Sequence, residues 1–328
     1  MTSQFSRRTF LAASTLSATF GLPSLAFSQG YPDKNKPIRA LVPSSPGATT
    51  DVVARSFSQA LAEVLKANVI VENRAGADGV IGMQAAKSAA PDGQTILFTS
   101  LSTMSMNPFL FKQLPYDPEK DFIPLAGTVK FGLILCVGTS VKEKTLQELM
   151  VKAKASPGKY TYASVSATTR LAGHMMAKAA GVELLNIPFK NYTDVMTNLI
   201  SGKIDMFMTD VAGAQPFFSQ GVRAIAATPA KRLPDMPDLP TLQENGIAGI
   251  DITGWHGAWL PAKTPAPIVD TLKSAFRDVW ANKHVRELCE KKGMETLDLT
   301  GDDFAAFLRV ESEKWGSAIR EAGMANTI

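Results

Sequence analysis

Residues 38–57 read IRALVPSSPGATTDVVARSF, and this stretch decides the fold. Its apolar opening, ending at Leu41 and Val42, suits a covered β-strand. Pro46 and Gly47 break the run, and Thr49 or Thr50 stands where a hydroxyl caps a helix. Val53, Phe57, Leu61, Val64 and Leu65 then recur at helical spacing along one face. A strand passing through a Gly turn into a helix is an ordinary connection of α/β proteins. It is also a natural anion site, because the first helical turn carries unpaired N–H groups and the positive end of the helix dipole. This stretch alone leaves both readings open.

The same alternation continues outward. A strand over 69–71, a Gly-rich turn, a helix over 80–89 and a strand over 95–98 complete a βαβαβ unit. That order predicts a parallel sheet with helices on its faces. Residues 107–124 form a long Pro-containing connection near a domain boundary. A second unit follows, beginning with a strand over 132–138 and a helix opened by a capping box from Thr145 to Glu148. Strands over 160–163, 184–188, 204–208 and 222–227 then alternate with helices over 168–180, 193–201 and 211–219. Gly181, Gly202 and Gly221 each sit just past a helical run. Residues 229–249 are proline-rich and read as a second linker. Beyond Trp255 the pattern gives two long helices, 266–282 and 301–322.

The first residues read differently. Ser6, Arg7, Arg8, Thr9, Phe10 and Leu11 form a twin-arginine pattern ahead of a weakly apolar stretch. Ser24, Leu25 and Ala26 offer a small-x-small cleavage site. Residues 1–28 are therefore expected to be a cleaved export signal, with the mature chain starting between Phe27 and Gly30. The formal charge of +4 falls to +2 without Arg7 and Arg8, leaving 32 basic residues against 30 acidic ones. Nothing in that balance suggests a nucleic-acid partner. Cys136 lies in the apolar run GLILCV, where a buried thiol is expected. An oxidising compartment permits but does not require a bridge to Cys289.

Enzyme signatures are scarce. The chain has no G-x-S-x-G elbow and no Walker loop. Gly76, Gly79 and Gly82 are spaced as a tight turn before a helix, not as a dinucleotide fingerprint. His174, His256 and His284 are scattered, show no metal-ligand spacing and read as packing or surface residues. A Ser-His-Asp arrangement assembled in space stays open; no metal or cofactor is expected. The binding features are more coherent. Ser45, Pro46, Gly47, Ala48, Thr49 and Thr50 form the first strand-to-helix loop. Ser164, Ser166, Ala167, Thr168, Thr169 and Arg170 form a second of matching polarity. Thr99, Ser100 and Ser102, and Thr209 and Asp210, follow two further strands at their carboxyl ends. Two helix N-termini facing one cleft would clamp a small anion. Arg170 is either a planar fork for a ligand carboxylate, a surface residue, or the partner of a nearby acid.

An ordered set of further segments carries a family resemblance over nearly the whole chain. It comprises VIVENRAGADGVIG at 69–82, Pro91 to Gly93, Asn107-Pro108, Leu114 to Pro118 and Asp121-Phe122. It continues with Pro157 to Lys159, Ile187 to Lys190, Gly202 to Asp205, Leu239 to Thr241, Trp255, Gly257, Pro261-Ala262 and Glu311 to Trp315. Together with the first loop, the set resembles the Bug-type periplasmic solute-binding proteins that serve tripartite tricarboxylate transporters. The resemblance implies two doubly wound α/β domains with a ligand cleft between them, of the type II periplasmic-binding-protein kind. Residues 29–128 plus 252–328 would form domain 1, and 129–251 domain 2. It implies a monomer in the periplasm that binds a small carboxylate and hands it to integral membrane permease subunits, without catalysis. The rival readings are an exported hydrolase of a small carboxylated compound and an orphan binding protein serving a sensor kinase.

Two departures bear on the ligand. Gly47 is followed by Ala48 where the family pairs glycines. Arg170-Leu-Ala-Gly-His174 stands where the family has His-Leu-Ala-Gly-Glu after a longer turn. Asp51 matches a family Asp; beside an anion it would repel, so it reads as bracing the helix start. The polar loops favour an aliphatic dicarboxylate, whereas Phe131, Phe189 and Tyr192 would instead wall an aromatic ring if they are not core.

Overall fold

The structure, a computed structural model, describes residues 31–328, so the export signal expected over 1–28 lies outside the described residues. The first unit forms as β1 (Ile38–Val42), α1 (Thr49–Leu65), β2 (Val69–Asn73), α2 (Val80–Lys87) and β3 (Thr95–Ser100). The spacing of apolar residues explains α1, which buries Val53, Phe57 and Leu61 against the sheet. A π-helical turn at Ser102–Met106 and the short α3 (Asn107–Leu110) follow. Next comes β4 (Phe122–Val137), which begins ten residues before the expected strand at 132. Pro124 hides that start, and two register shifts near Pro124 and Gly127 break the alternation that marks a strand.

The second unit is α4 (Leu146–Ala155), β5 (Thr161–Ser164), α5 (Ala167–Ala180), β6 (Leu185–Pro188), α6 (Tyr192–Ile200), β7 (Met206–Asp210), α7 (Val211–Ala214) and β8 (Arg223–Ala227). The chain ends with β9 (Thr253–Pro261), α8 (Ala266–Ala281), α9 (Lys283–Lys292), β10 (Glu295–Thr296) and α10 (Gly301–Glu321). The two long helices are as expected; β9, α9 and β10 are not.

The strands lie in the order β2-β1-β3-β9-β4-β7-β5-β6, with β8 and β10 also on β4. Both wings are parallel, β2-β1-β3 on one side and β7-β5-β6 on the other. The spine between them is antiparallel, formed by β9 and β4. One half of β4 pairs with β9 and the other with β7 and β8, so this strand passes from one wing to the other. Glycines let aromatic rings lie flat on β9: a Cβ at Gly254 would meet the Phe131 ring at 2.5 Å, and one at Gly257 would meet Phe304 at 2.5 Å.

The C-terminal helices return to the first wing, α8 and α9 packing on α1 and α10 on the π-helical turn. Glu311 on α10 accepts from the indole N–H of Trp255, at 2.7 Å, and of Trp315, at 2.9 Å. Cys136 is buried, and neither it nor Cys289 is bridged. Among the described residues no helix is long and apolar enough to cross a membrane.

Candidate functional site

The carboxyl ends of β1, β3, β5 and β7 open onto one cavity of about 880 Å³, as expected for ligand crevices in α/β sheets. Ser45, Ala48, Thr49 and Thr50 line it from the first loop, and Thr99, Ser100 and Ser102 from beyond β3. Ser164, Ser166, Thr168, Thr169 and Arg170 line it from the second loop, and Thr209 and Asp210 from the end of β7. Of the residues singled out in the sequence, Pro46, Gly47, Asp51 and Ala167 do not line it.

The first loop corrects one expectation. The N-cap of α1 is Ala48, and no side chain caps the helix. The two threonine hydroxyls expected there point elsewhere. Thr49 Oγ1 donates to Asp210 Oδ2 on the other wing, and Thr50 Oγ1 bonds His256 Nε2 at 3.1 Å. Asp51 braces the loop, accepting from Gly47 N–H at 2.9 Å, Asn73 Nδ2 at 2.9 Å and Arg55 Nε at 3.0 Å. Burial alone would raise its carboxyl, but the hydrogen bonds from Arg55, Gly47 and Asn73 outweigh it and hold it below the ordinary range.

The second loop is closed on itself. Ser166 caps α5 by accepting from Thr169 N–H, while Thr169 Oγ1 accepts from Ser166 N–H at 3.2 Å and Val165 N–H at 3.0 Å. Two of its residues reach across. Thr168 Oγ1 and Ser102 Oγ share a hydrogen bond at 2.7 Å, and Arg170 Nη2 donates to Asp78 Oδ2 at 2.8 Å. With Thr49 and Asp210, three polar contacts therefore join the wings around the cavity. Arg170 is the partner of an acid, the third of its sequence readings, and half of its fork remains. Nη1 is buried with no hydrogen-bond partner among the described residues.

Two further buried polar atoms on cavity-lining residues also lack a partner, Ser44 Oγ and His256 Nδ1. Such atoms are costly in an apolar surrounding; four more, on Ser58, Gln94, Asn107 and Thr128, belong to residues that do not line the cavity. Asp210 is buried, and burial raises its carboxyl despite the bonds from Thr49 and Gly213 N–H. Burial pushes the His256 imidazole down to about 3, so it is neutral. Ile81, Leu101, Phe131, Leu133, Phe189, Tyr192, Phe207 and Trp255 supply the apolar wall. All three aromatics weighed for an aromatic ring therefore line the cavity. Among the described residues no group of three or more His, Cys, Asp or Glu side chains is arranged to hold a metal.

Sequence reasoning missed Asp78, Lys190 and His256 as cavity residues. Asp78 sits at φ 51° in the Gly76–Gly79 turn, which reads as a turn and nothing more. His256 lies on β9, a strand that was not expected.

Two α/β wings around a polar cavity at their strand ends define the class of two-lobed solute-binding proteins. The sequence model of the family described as "Tripartite tricarboxylate transporter family receptor" matches residues 53–324, and the chain belongs to that family. It is 33% identical over 329 residues to the "UPF0065 protein in gbd 5'region" of Cupriavidus necator, covering 97% of this chain and 98% of that one. The periplasmic binding protein BugD superposes with a TM-score of 0.84 at 30% identity, over 88% of this chain and 98% of its own. MatC from Rhodopseudomonas palustris, solved with bound malate, superposes with a TM-score of 0.78 at 25% identity, over 86% of this chain and 99% of its own. The family and these structural neighbours are receptors and binding proteins, not enzymes, which removes the hydrolase reading.

Proposed function

We propose that this protein is a periplasmic receptor that captures a small carboxylate in the cavity between its wings and delivers it to the permease subunits of a tripartite tricarboxylate transporter. The observation that carries the proposal is one cavity lined from both wings by polar side chains, Thr49, Thr50 and Ser102 on one side and Ser166, Thr168 and Arg170 on the other. The Arg170 guanidinium and the surrounding hydroxyls suit a carboxylate, since a hydrogen bond to a charged ligand contributes about 1.5–3 kcal/mol. A few of them reach micromolar affinity, near about −8 kcal/mol, after the cost of association. The presence of malate in the MatC structure supports this ligand class. The receptor acts as a monomer after its leader, residues 1–28, is removed. Residues 29–128 with 252–328 form one lobe and 129–251 the other, hinged where β4 and the proline-rich segments cross.

A thermal-shift screen against a library of aliphatic, hydroxylated and aromatic carboxylates tests the reading. At least one should raise the melting temperature by mass action. Calorimetry should then give one site per chain, with the compound recovered intact. No hit across the library contradicts the ligand class, and conversion of the compound contradicts receptor function.

A further inference from the structure

We propose that α5 is the clasp of the cleft: one stripe of its side chains, Arg170, His174 and Lys178, docks on the first wing and keeps the receptor closed before any ligand arrives. The inference rests on the two-lobed receptor reading above and adds a closing device to it.

The stripe follows from helix geometry. Arg170, His174 and Lys178 stand four residues apart on α5, so their side chains share one face. All three bond to the first wing or to α10, which packs on it. Arg170 Nη2 donates to Asp78 Oδ2 at 2.8 Å, His174 Nε2 to the Ala322 carbonyl at 3.0 Å, and Lys178 Nζ to the Glu321 carbonyl at 2.7 Å. α10 ends at Glu321 with Ala322 as its C-cap, so both carbonyls belong to a helix end whose acceptors have no partner within the helix. Basic side chains there satisfy the acceptors and meet the negative end of the helix dipole. The third contact is delivered by a strained turn. Ala77 and Asp78 take φ of 48° and 51°, a left-handed geometry that costs any residue but glycine. Such backbone persists where its surroundings hold it, and the Asp78 carboxylate is held by Arg170 from the other wing.

These contacts make a clasp and not a fixed joint, because they are polar and reach water. Lys178 is exposed, and Arg170 and His174 are half-buried. Water replaces such partners at small cost when the wings part. His174 and Lys178 do not line the cavity, so a ligand inside it does not compete for them. The same helix begins at the second loop, so docking α5 also sets that wall of the cavity in advance. A wall in place before binding lowers the ordering cost that a ligand must meet.

Small-angle scattering of the mature chain without ligand tests the clasp. It is recorded in about 0.1 M and about 1 M sodium chloride, between which the screening length falls from about 10 Å to about 3 Å. In low salt the parent should match the scattering of the structure described above, and in high salt its radius of gyration should rise. Lys178→Glu, and His174→Glu combined with it, place acids against the end of α10. Both should show the larger radius already in low salt, the double variant more so, with the helix content of the parent by circular dichroism. Variant curves that superimpose on the parent's in low salt overturn the inference. A low-salt parent curve that fits only wings farther apart overturns it as well. Should neither variant fold, a parent radius unchanged in high salt overturns it. No ligand enters the measurement, so the carboxylate reading stands or falls separately, by the library screen.

Discussion

The two strand-to-helix loops look alike in sequence and behave differently in the fold. The loop into α5 satisfies its own polar groups: Ser166 and Thr169 form a reciprocal cap, and only Thr168 and Arg170 face outward. The loop into α1 leaves its helix without a side-chain cap and sends Thr49 and Thr50 to Asp210 and His256. Hydroxyls at a helix start are thus stabilising in one loop and positioning in the other. The first loop is held instead by Asp51, which stands behind it and does not line the cavity.

Substitutions break this comparison in order of size. Asp51→Ala should have the largest effect, about 2–4 kcal/mol of stability, because it removes a buried carboxylate and leaves its three donors without an acceptor. Most of that loss comes from the buried contacts with Gly47 and Asn73, since Arg55 is half exposed and its charge is screened. Chemical denaturation of parent and variant measures it. The folded carboxyl titrates below its unfolded value, so its contribution is complete above about pH 4 and lost as pH falls through the folded value. The gap between parent and variant should therefore close in acid.

Arg170→Ala should weaken carboxylate binding about ten- to a hundredfold in calorimetry, through loss of the guanidinium and of its Asp78 contact across the cavity. Its melting temperature without ligand should also fall, because Asp78 loses its cation, so affinity is compared at a temperature where both proteins are folded. Ser166→Ala should cost about 1 kcal/mol of stability as a lost cap, whereas Thr50→Val should cost less in denaturation because α1 has no side-chain cap to lose. Equal losses from the two would erase the distinction between the loops.

The smallest effect concerns Asp210, the N-cap of α7. Its folded carboxyl is raised by burial, opposite to Asp51. Ionising it in the fold therefore costs stability, a cost absent at low pH and growing as pH rises through the unfolded value toward the folded one. Asp210→Asn, which can accept from Gly213 N–H through Oδ1 and donate to Thr49 Oγ1 through Nδ2, should be more stable than the parent at pH 7 and lose that advantage in acid. A melting series across pH reads the sign directly.

What the sequence discloses follows from which residues carry local signals. The unit from β1 to β3 is legible because α1 repeats its apolar residues at helical spacing and β1 is a continuous apolar run. The start of β4 is hidden by Pro124 and the bulges around it. β9 is hidden because its two glycines, Gly254 and Gly257, carry no side-chain pattern and exist to admit the rings of Phe131 and Phe304. α9 is polar, buries only Val285, and follows α8 across the single residue Asn282. The cavity hydroxyls were readable because they sit beside helix starts. Asp78 and His256 were not, since one lies in a Gly turn and the other on the unrecognised strand. The direction of the threonine side chains was also beyond reach, because their partners are about 160 and 206 residues away in sequence.

The account's central claim is that a small carboxylate lies between the wings, held by groups from both. A crystal structure of the mature chain with the tightest carboxylate from the screen tests it most directly. The claim predicts a ligand carboxylate in the cavity within hydrogen-bonding distance of the Arg170 guanidinium or another second-loop group, with further contacts from the first loop or from β9. A carboxylate bound outside this cavity, or touching residues of one wing alone, would contradict it.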